Sequence, residues 1–437
     1  MQLVAYGSQD IYLTGQPQIT FFKAIYRRHT NFAIESIQQA YQGVPKPGSR
    51  VTVSISRNGD LLKNIWIEYN PSTVITSTTN ALACDFGHAL LNQLDIEIGG
   101  QLIDRQYGKW LTIWRNLCEP SPYGLQTPIN TVNSNGSEPS VDCLYNRMSY
   151  NHLGACNDSG LTGPLTQAPK RAYIPMRFWF CRNPGLAVPL IALQYHEVKF
   201  HIQFAQLSSF TYYDSEVTVD LSSVKVYTDY IYLDSTERKQ FSQNAHEYLI
   251  DQLQLQTGER DSNVRLNFNH PVKELIITGT PLELNQENLV SLRGDTGDAF
   301  SSVNIGGATP YEIVPQAPLS NLTCKLMLNG SDRFSERHIT YFTRNQIWDC
   351  HTGFGSSTGT NFLSVPGNNI PLWDCVGVYS FALRPEEHQP SGSCNFSRVD
   401  NAQLVFSNGT INSLDIYAVN YNVLRVMSGM GGLAYSN

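Results

Sequence analysis

The sequence predicts an all-β protein: two tandem eight-stranded antiparallel jelly rolls with long loops and a few short helices. Three observations predict it: period-two alternation throughout the chain, scarce helical periodicity, and one unit that occurs twice. Alternation marks 51–55 (VTVSI), 94–98 (LDIEI), 264–268 and 414–418, and it sets Val198, Phe200, Ile202 and Phe204 opposite Lys199, His201 and Gln203. A strand that buries one face and wets the other belongs to an antiparallel sheet, because parallel strands are covered on both faces.

In chain order, residues 1–23 read as an amino-terminal arm, and the first strong strand signal is Phe32-Ala33-Ile34. A first sandwich is expected over 24–234. It holds the one good helical stripe, Trp110, Ile113, Trp114 and Leu117, spaced to share a helix face. Asp234-Ser235-Thr236-Glu237 reads as a helix N-cap with Glu237 placed to reach back, which predicts a linker helix over 235–242. A second sandwich follows over 243–437. LLKNIWIE (61–68) reads like PVKELIIT (271–278), IEIGGQLIDRQYGKW (96–110) like LMLNGSDRFSERHITYF (326–342), and VKVYTDYIYLD (224–234) like LDIYAVNYNVL (414–424). Drifting offsets are what repeats with unequal loops give. Eight or so strands per unit point to sandwiches closed by Greek-key connections, and two units of this size narrow that to jelly rolls. Two insertions, 119–170 and 343–371, are rich in Gly, Ser, Asn, Thr and Pro and read as exposed loops.

Composition excludes several function classes. The 437 residues carry 30 Lys and Arg against 37 Asp and Glu, a net charge of −7, which counts against a chain whose task is gripping nucleic acid. Charged residues are only 15% of the chain, against roughly 25% in average soluble proteins. Uncharged polar residues take their place, a surface suited to packing against copies of itself. With 41% hydrophobic residues there is material for large cores. The nine cysteines include no C-x-x-C pair, and no secretory signal is read, so reduced thiols are expected. No apolar run reaches the ~18 residues a membrane span needs.

Motifs for chemistry fail on context. Gly355-Ser356-Ser357-Thr358-Gly359 matches a nucleophile elbow in letters, but its flanks read as loop where a strand and a helix are required. His196 and His201 are five apart, which in a strand sends the rings to opposite faces. No H-x-H, P-loop or dinucleotide turn is present. No catalytic residue, cofactor or metal is therefore expected. Arg293-Gly294-Asp295 reads as a chance tripeptide. Lys23, Arg27, Arg28 and His29, interleaved with Phe21, Phe22 and Tyr26, form the densest basic cluster and favour a subunit contact over phosphate binding. Sequons stand at Asn135, Asn157, Asn321, Asn329, Asn395 and Asn408.

Five stretches carry a family resemblance: PQITFFKAIYRRHTNFAIES (17–36), SRNGDL (56–61), PGLAVPLIALQYHEVKF (184–200), QPSGSCNFSRVDNA (389–402) and YNVLRVMSGMGGLAY (421–435). They resemble the double jelly-roll major capsid proteins of large icosahedral double-stranded DNA viruses, those of chlorella viruses (phycodnaviruses) above all. The resemblance is weakest at 119–170 and 280–370. It implies a homotrimeric, pseudo-hexagonal capsomer in contact with neighbouring capsomers and minor capsid proteins, above an internal membrane, with no direct nucleic-acid contact. It places Lys23, Arg27 and Arg28 at the inner base of the capsomer, and the protein in the virion after assembly in the host cytoplasm. It also implies glycans at asparagines outside the usual sequon, so the six sequons are weak guides. The competing readings are a carbohydrate-binding β-sandwich, for which 6 Trp and 23 Tyr are available to stack on sugars, and a β-sandwich hydrolase, for which no informative carboxylate pair is found.

Overall fold

The computed structural model describes residues 7–70, 74–75, 81–82, 86–119, 144–149, 171–207, 211–212, 217–259, 262–279, 322–353, 376–408 and 414–435. The first half contributes β1 (Phe32–Gln39), β2 (Arg50–Ser54), β3 (Leu61–Tyr69), β4 (Leu91–Ile98), β5 (Gln101–Tyr107), the helix α1 (Gly108–Cys118), β6 (Val198–Phe204) and β7 (Lys225–Leu233). One sheet runs β1-β7-β3 and is completed by Ala172–Pro175 and Val188–Pro189, both on β3; the other runs β2-β6-β4-β5 with Tyr41–Gln42 on β2, all antiparallel. The first and last strands of the half lie side by side, Phe32 opposite Leu233 through Gln39 opposite Val226. The next strands in from each end, β2 and β6, pair in the facing sheet. That inward wrapping is the jelly roll.

After the helix α2 (Ser235–Gln243) the second half repeats the plan with β8 (His246–Glu259), β9 (Asn263–Arg265), β10 (Pro271–Gly279), β11 (Thr323–Leu328), the helix α3 (Gln346–Cys350), β12 (Val376–Ser380), β13 (Ala402–Ser407), β14 (Leu414–Met427) and β15 (Met430–Leu433). Its sheets run β8-β14-β10-β12 and β9-β13-β11, with β15 on β14. The segments that read alike in sequence occupy like places: β3 and β10 each lie beside the closing strand of their half, β7 or β14.

Alternation delivers the cores. In β6, Val198, Phe200, Ile202 and Phe204 are buried, while the residues between them are half-buried. They meet Val51, Val53, Ile65, Ile67, Leu94 and Ile96 between the first pair of sheets, each fully buried side chain worth about 1.5–3 kcal/mol. A separate core holds Val264, Leu266, Phe268, Leu326, Leu404 and Ile416. The strand expected over 264–268 stops at Arg265, yet its inward residues stay buried. Side-chain amides take over the pairing: Gln256 donates to Arg265 O and accepts from Asn267 N, and Gln254 does the same with Asn269 O and N. Those bonds satisfy backbone groups that leave the ladder.

The linker helix is present, but its start differs from expectation. Asp234 holds the extended N-cap conformation without a side-chain cap bond. Asp60 secures the region instead, accepting from Leu233 N at 2.9 Å and pairing with Arg238 at 2.8 Å.

Candidate functional site: the seam between the sandwiches and the exposed arm

The helix α1 belongs to the first half by chain order and to the second by packing. Trp110, Ile113 and Leu117 cluster with Ile276, Ile347, Val376, Val378, Tyr417 and Val419 of the second half. The Trp110 and Tyr417 rings lie 5.6 Å apart. In the other direction, Ile250, Leu424 and Val426 enter the first core. The β14–β15 turn meets the first half where Tyr195 N donates to Gly429 O at 2.9 Å, and His196 Nδ1 sits 3.1 Å from Gly431 N.

Buried polar groups cross the same seam. Lys109 Nζ reaches Asp415 Oδ2 at 2.6 Å, and Leu253 N donates to Asp104 Oδ1 at 3.1 Å. Burial pushes the Asp104 carboxyl up to about 7, only partly offset by the Leu253 N–H and Gln106. Asp251 Oδ2 takes Arg182 Nη2 from the first half at 2.6 Å and Lys273 Nζ at 3.0 Å. Burial alone would raise the Asp251 carboxyl, but Arg182 and Lys273 more than reverse this and hold it below the usual range. Such pairs are costly to break, because the remaining charge is stranded in a poor solvent. The two sandwiches are thus locked as one body by an apolar cluster with polar bolts through it.

A cavity of about 250 Å³ opens at one end of the seam, lined among others by Trp114, Cys118, Arg177, Glu274, His351 and Glu386. Burial pulls the His351 pKa down; Glu274, then Cys118 and Glu386, outweigh it and hold the ring well above its ordinary range. Sequence reading missed these residues. They lie far apart in the chain and share no motif spacing.

The arm is the other unusual feature. No residue from 7 to 31 is buried, and Lys23, Arg27 and Arg28 are all exposed. Phe21 is 90% and Phe22 98% exposed, with Tyr12, Leu13, Ile25 and Tyr26 nearly as open. An apolar display of this extent marks a surface made to be covered. Asn329, Asn395 and Asn408 are exposed. Asn329 and Asn408 have positive φ at turns, and Asn395 accepts from Ser397 N. Asn135, Asn157, Asn321, Gly355 to Gly359, Arg293 to Asp295 and most of both insertions lie outside the described residues. His196 and His201 do not meet: His201 bonds Thr52 and Glu97 on the opposite face of β6 from the core. The five described cysteines are free thiols, and burial raises Cys181 to about 12. Among the described residues no helix is long and apolar enough to cross a membrane.

Comparison with known proteins shows the family to which the chain belongs. The family of the major capsid protein N-terminus matches residues 20–234, and that of the large eukaryotic DNA virus major capsid protein matches 237–432. The major capsid protein of Pyramimonas orientalis virus is 43% identical over 100% of this chain and 99% of its own. The chain belongs to the major capsid proteins of large eukaryotic DNA viruses. The major capsid protein of Paramecium bursaria Chlorella virus 1 is 38% identical, again over 100% of this chain and 99% of its own. A quasi-atomic model of the PBCV-1 virus capsid superimposes with a TM-score of 0.68 at 35% identity, covering 96% of this chain and 100% of that one. The double jelly roll is therefore a capsid fold, and its role is structural, not enzymatic. The seam makes one body from two sandwiches.

Proposed function

We propose that this capsid protein acts as a homotrimer whose six jelly rolls approximate a hexagon and tile an icosahedral shell. The observation that carries the reading is the matched topology of the two halves, β1-β7-β3 against β8-β14-β10, fixed side by side by the seam. Three such chains around an axis present six nearly equivalent sandwiches. The low charged fraction, 15%, leaves polar and aromatic surface that subunit contacts can desolvate. The division of labour along the chain is an arm over 1–23, jelly rolls over 24–234 and 243–437, and the linker helix 235–242 between them.

In this reading the exposed aromatic arm, with Lys23, Arg27 and Arg28, lies at the inner base of the capsomer and contacts minor capsid proteins or the membrane beneath the shell. Neighbouring capsomers are the lateral partners. The virion is the site of action and the host cytoplasm the site of assembly. Of the sequons, Asn329, Asn395 and Asn408 have the exposure a glycan needs. Light scattering on the purified chain tests the core of the proposal. A mass near three times 49.0 kDa is expected, with hexagonal outlines in negative stain. Monomer alone at micromolar concentration would overturn it.

A further inference from the structure

Four side chains from four separate stretches converge where α1 ends against the second sandwich. Cys118 closes α1, Glu274 lies in β10, His351 follows α3, and Glu386 lies in the turn after β12. The Cys118 Sγ, a ring nitrogen of His351 and a carboxylate oxygen of Glu386 all lie within 4.8 Å of one another. His351 Nδ1 faces Glu386 Oε1 at 3.1 Å. On the ring's other side, Nε2 is 3.0 Å from Glu274 Oε2. Both atoms are buried, and this ion pair holds the ring from the side away from Glu386.

We propose that Cys118, His351 and Glu386 bind a divalent ion of the zinc class, which clips the two jelly rolls together. Thiolate, imidazole and carboxylate together form a zinc-type donor set, softer than magnesium or calcium sites accept. Zinc bonds of about 2.0 Å to nitrogen or oxygen and about 2.3 Å to sulfur put tetrahedral donors about 3.5 Å apart. The set closes onto an ion by side-chain shifts of roughly an ångström.

The surroundings already orient the ligands. Thr352 N donates to Glu386 Oε1 and Thr352 Oγ to Oε2, both at 2.9 Å. Glu274, on the far side of the imidazole, is the outer carboxylate that fixes a ligating histidine once Nδ1 faces the metal. Nearby cations are engaged elsewhere: Arg182 with Asp251, and Arg177 stacked 3.8 Å over Trp114. The charge balances, since a divalent ion replaces one proton on the His351 imidazolium and one on the Cys118 thiol, releasing both to solvent. Cys118 comes from the first half and the other ligands from the second. Gly353 N to Leu117 O at 2.7 Å and Thr352 Oγ to Cys118 O at 3.2 Å already hold the two backbones together there. An ion at this point would cross-link the seam.

The test uses the full chain, loaded with zinc and dialysed against metal-free buffer, with metal counted by mass spectrometry. Cobalt is then substituted to read out sulfur ligation by its thiolate charge-transfer absorption. One ion per chain and that band are expected in the wild type. Cys118→Ser should abolish the band and weaken zinc binding by at least about tenfold. Glu386→Gln, at a half-exposed position, should weaken binding with the band retained. A chelator should lower the melting temperature of the wild type and leave Cys118→Ser unchanged. Wild-type protein that retains no zinc, or that binds cobalt without the sulfur band, would overturn the proposal whatever the variants do.

Discussion

Replacing Asp251 by Asn removes the single charge on which two cations of the seam converge. The carboxylate holds Arg182 at 2.6 Å and Lys273 at 3.0 Å, and the Lys273 side chain is 1% exposed. At an effective dielectric of about 20, each contact is worth on the order of 5–6 kcal/mol of gross attraction. Most of that offsets desolvation, and the measured cost of stranding a buried partner is about 3–5 kcal/mol. An unfolding entropy of about 2.1 cal/mol/K per residue turns that into a melting temperature about 3–5 °C lower if the whole chain unfolds together. Differential scanning calorimetry at fixed protein concentration reads it. The double variant Asp251→Asn with Lys273→Met should recover part of the loss, because it removes the stranded ammonium, with coupling of about 1 kcal/mol or more. The pH dependence has a definite sign. The folded Asp251 carboxyl is held below its ordinary value, so its stabilisation is complete above the unfolded pKa of about 3.9 and fades as pH falls through the folded value. The variant should therefore trail the wild type by a constant margin from about pH 6 to 8 and converge with it in acid. A shift below about 1 °C at neutral pH, or strictly additive single variants, would refute the idea that this charge bolts the seam.

Asp104 behaves oppositely: its carboxyl is raised to about 7, so wild-type stability should fall as pH rises from about 4 to 7, and Asp104→Asn should flatten that slope in urea titrations at several pH values. Trp110→Ala empties the centre of the seam cluster and should cost about 3–5 kcal/mol, seen as a lower urea midpoint with earlier protease cleavage between the halves. Deleting residues 1–24 removes no buried side chain among the described residues 7–24, so the melting temperature should stay within about 2 °C while particle assembly in co-expression falls; a collapse of soluble protein would show the arm to be structural.

The sandwiches were legible in the sequence because a strand with one wet face writes its burial into every second residue. Val51, Val53, Phe200 and Ile202 announced themselves that way, and the repeat of 61–68 at 271–278 announced the second copy. The seam was not legible, for a geometric reason. The stripe Trp110, Ile113 and Leu117 reads as a helix with one apolar face, and nothing in its spacing says that the face covers Tyr417 and Val419. The polar bolts were hidden more deeply: Asp251, Lys273 and Arg182 look like ordinary surface charges until two strands and the short helix Trp179–Arg182 bring them together. Cys118, His351 and Glu386 lacked even a suggestive spacing, since their meeting depends on where α1 ends against the other half. The expected side-chain cap at Asp234 is absent, and Asp60, distant in sequence, instead ties down the helix start through Leu233 N and Arg238.

A tile must be stiffer inside than at its edges, and the distribution of charge along this chain fits that demand. The buried ion pairs Lys109–Asp415 and Arg182–Asp251 span the seam, and Lys273 backs Asp251 from within the second sandwich. Buried pairs add little net stability against apolar replacements, but an incorrect relative placement of the sandwiches would strand their charges, so they penalise wrong registers heavily. Hydrophobic burial from the cluster around Trp110 supplies the adhesion, and the ion pairs supply the angle. The arm does the reverse, since it presents Phe21, Phe22 and Tyr26 to solvent, uncovered by any of the described residues. Its apolar side chains stay open to solvent, whereas the seam is already closed within the chain.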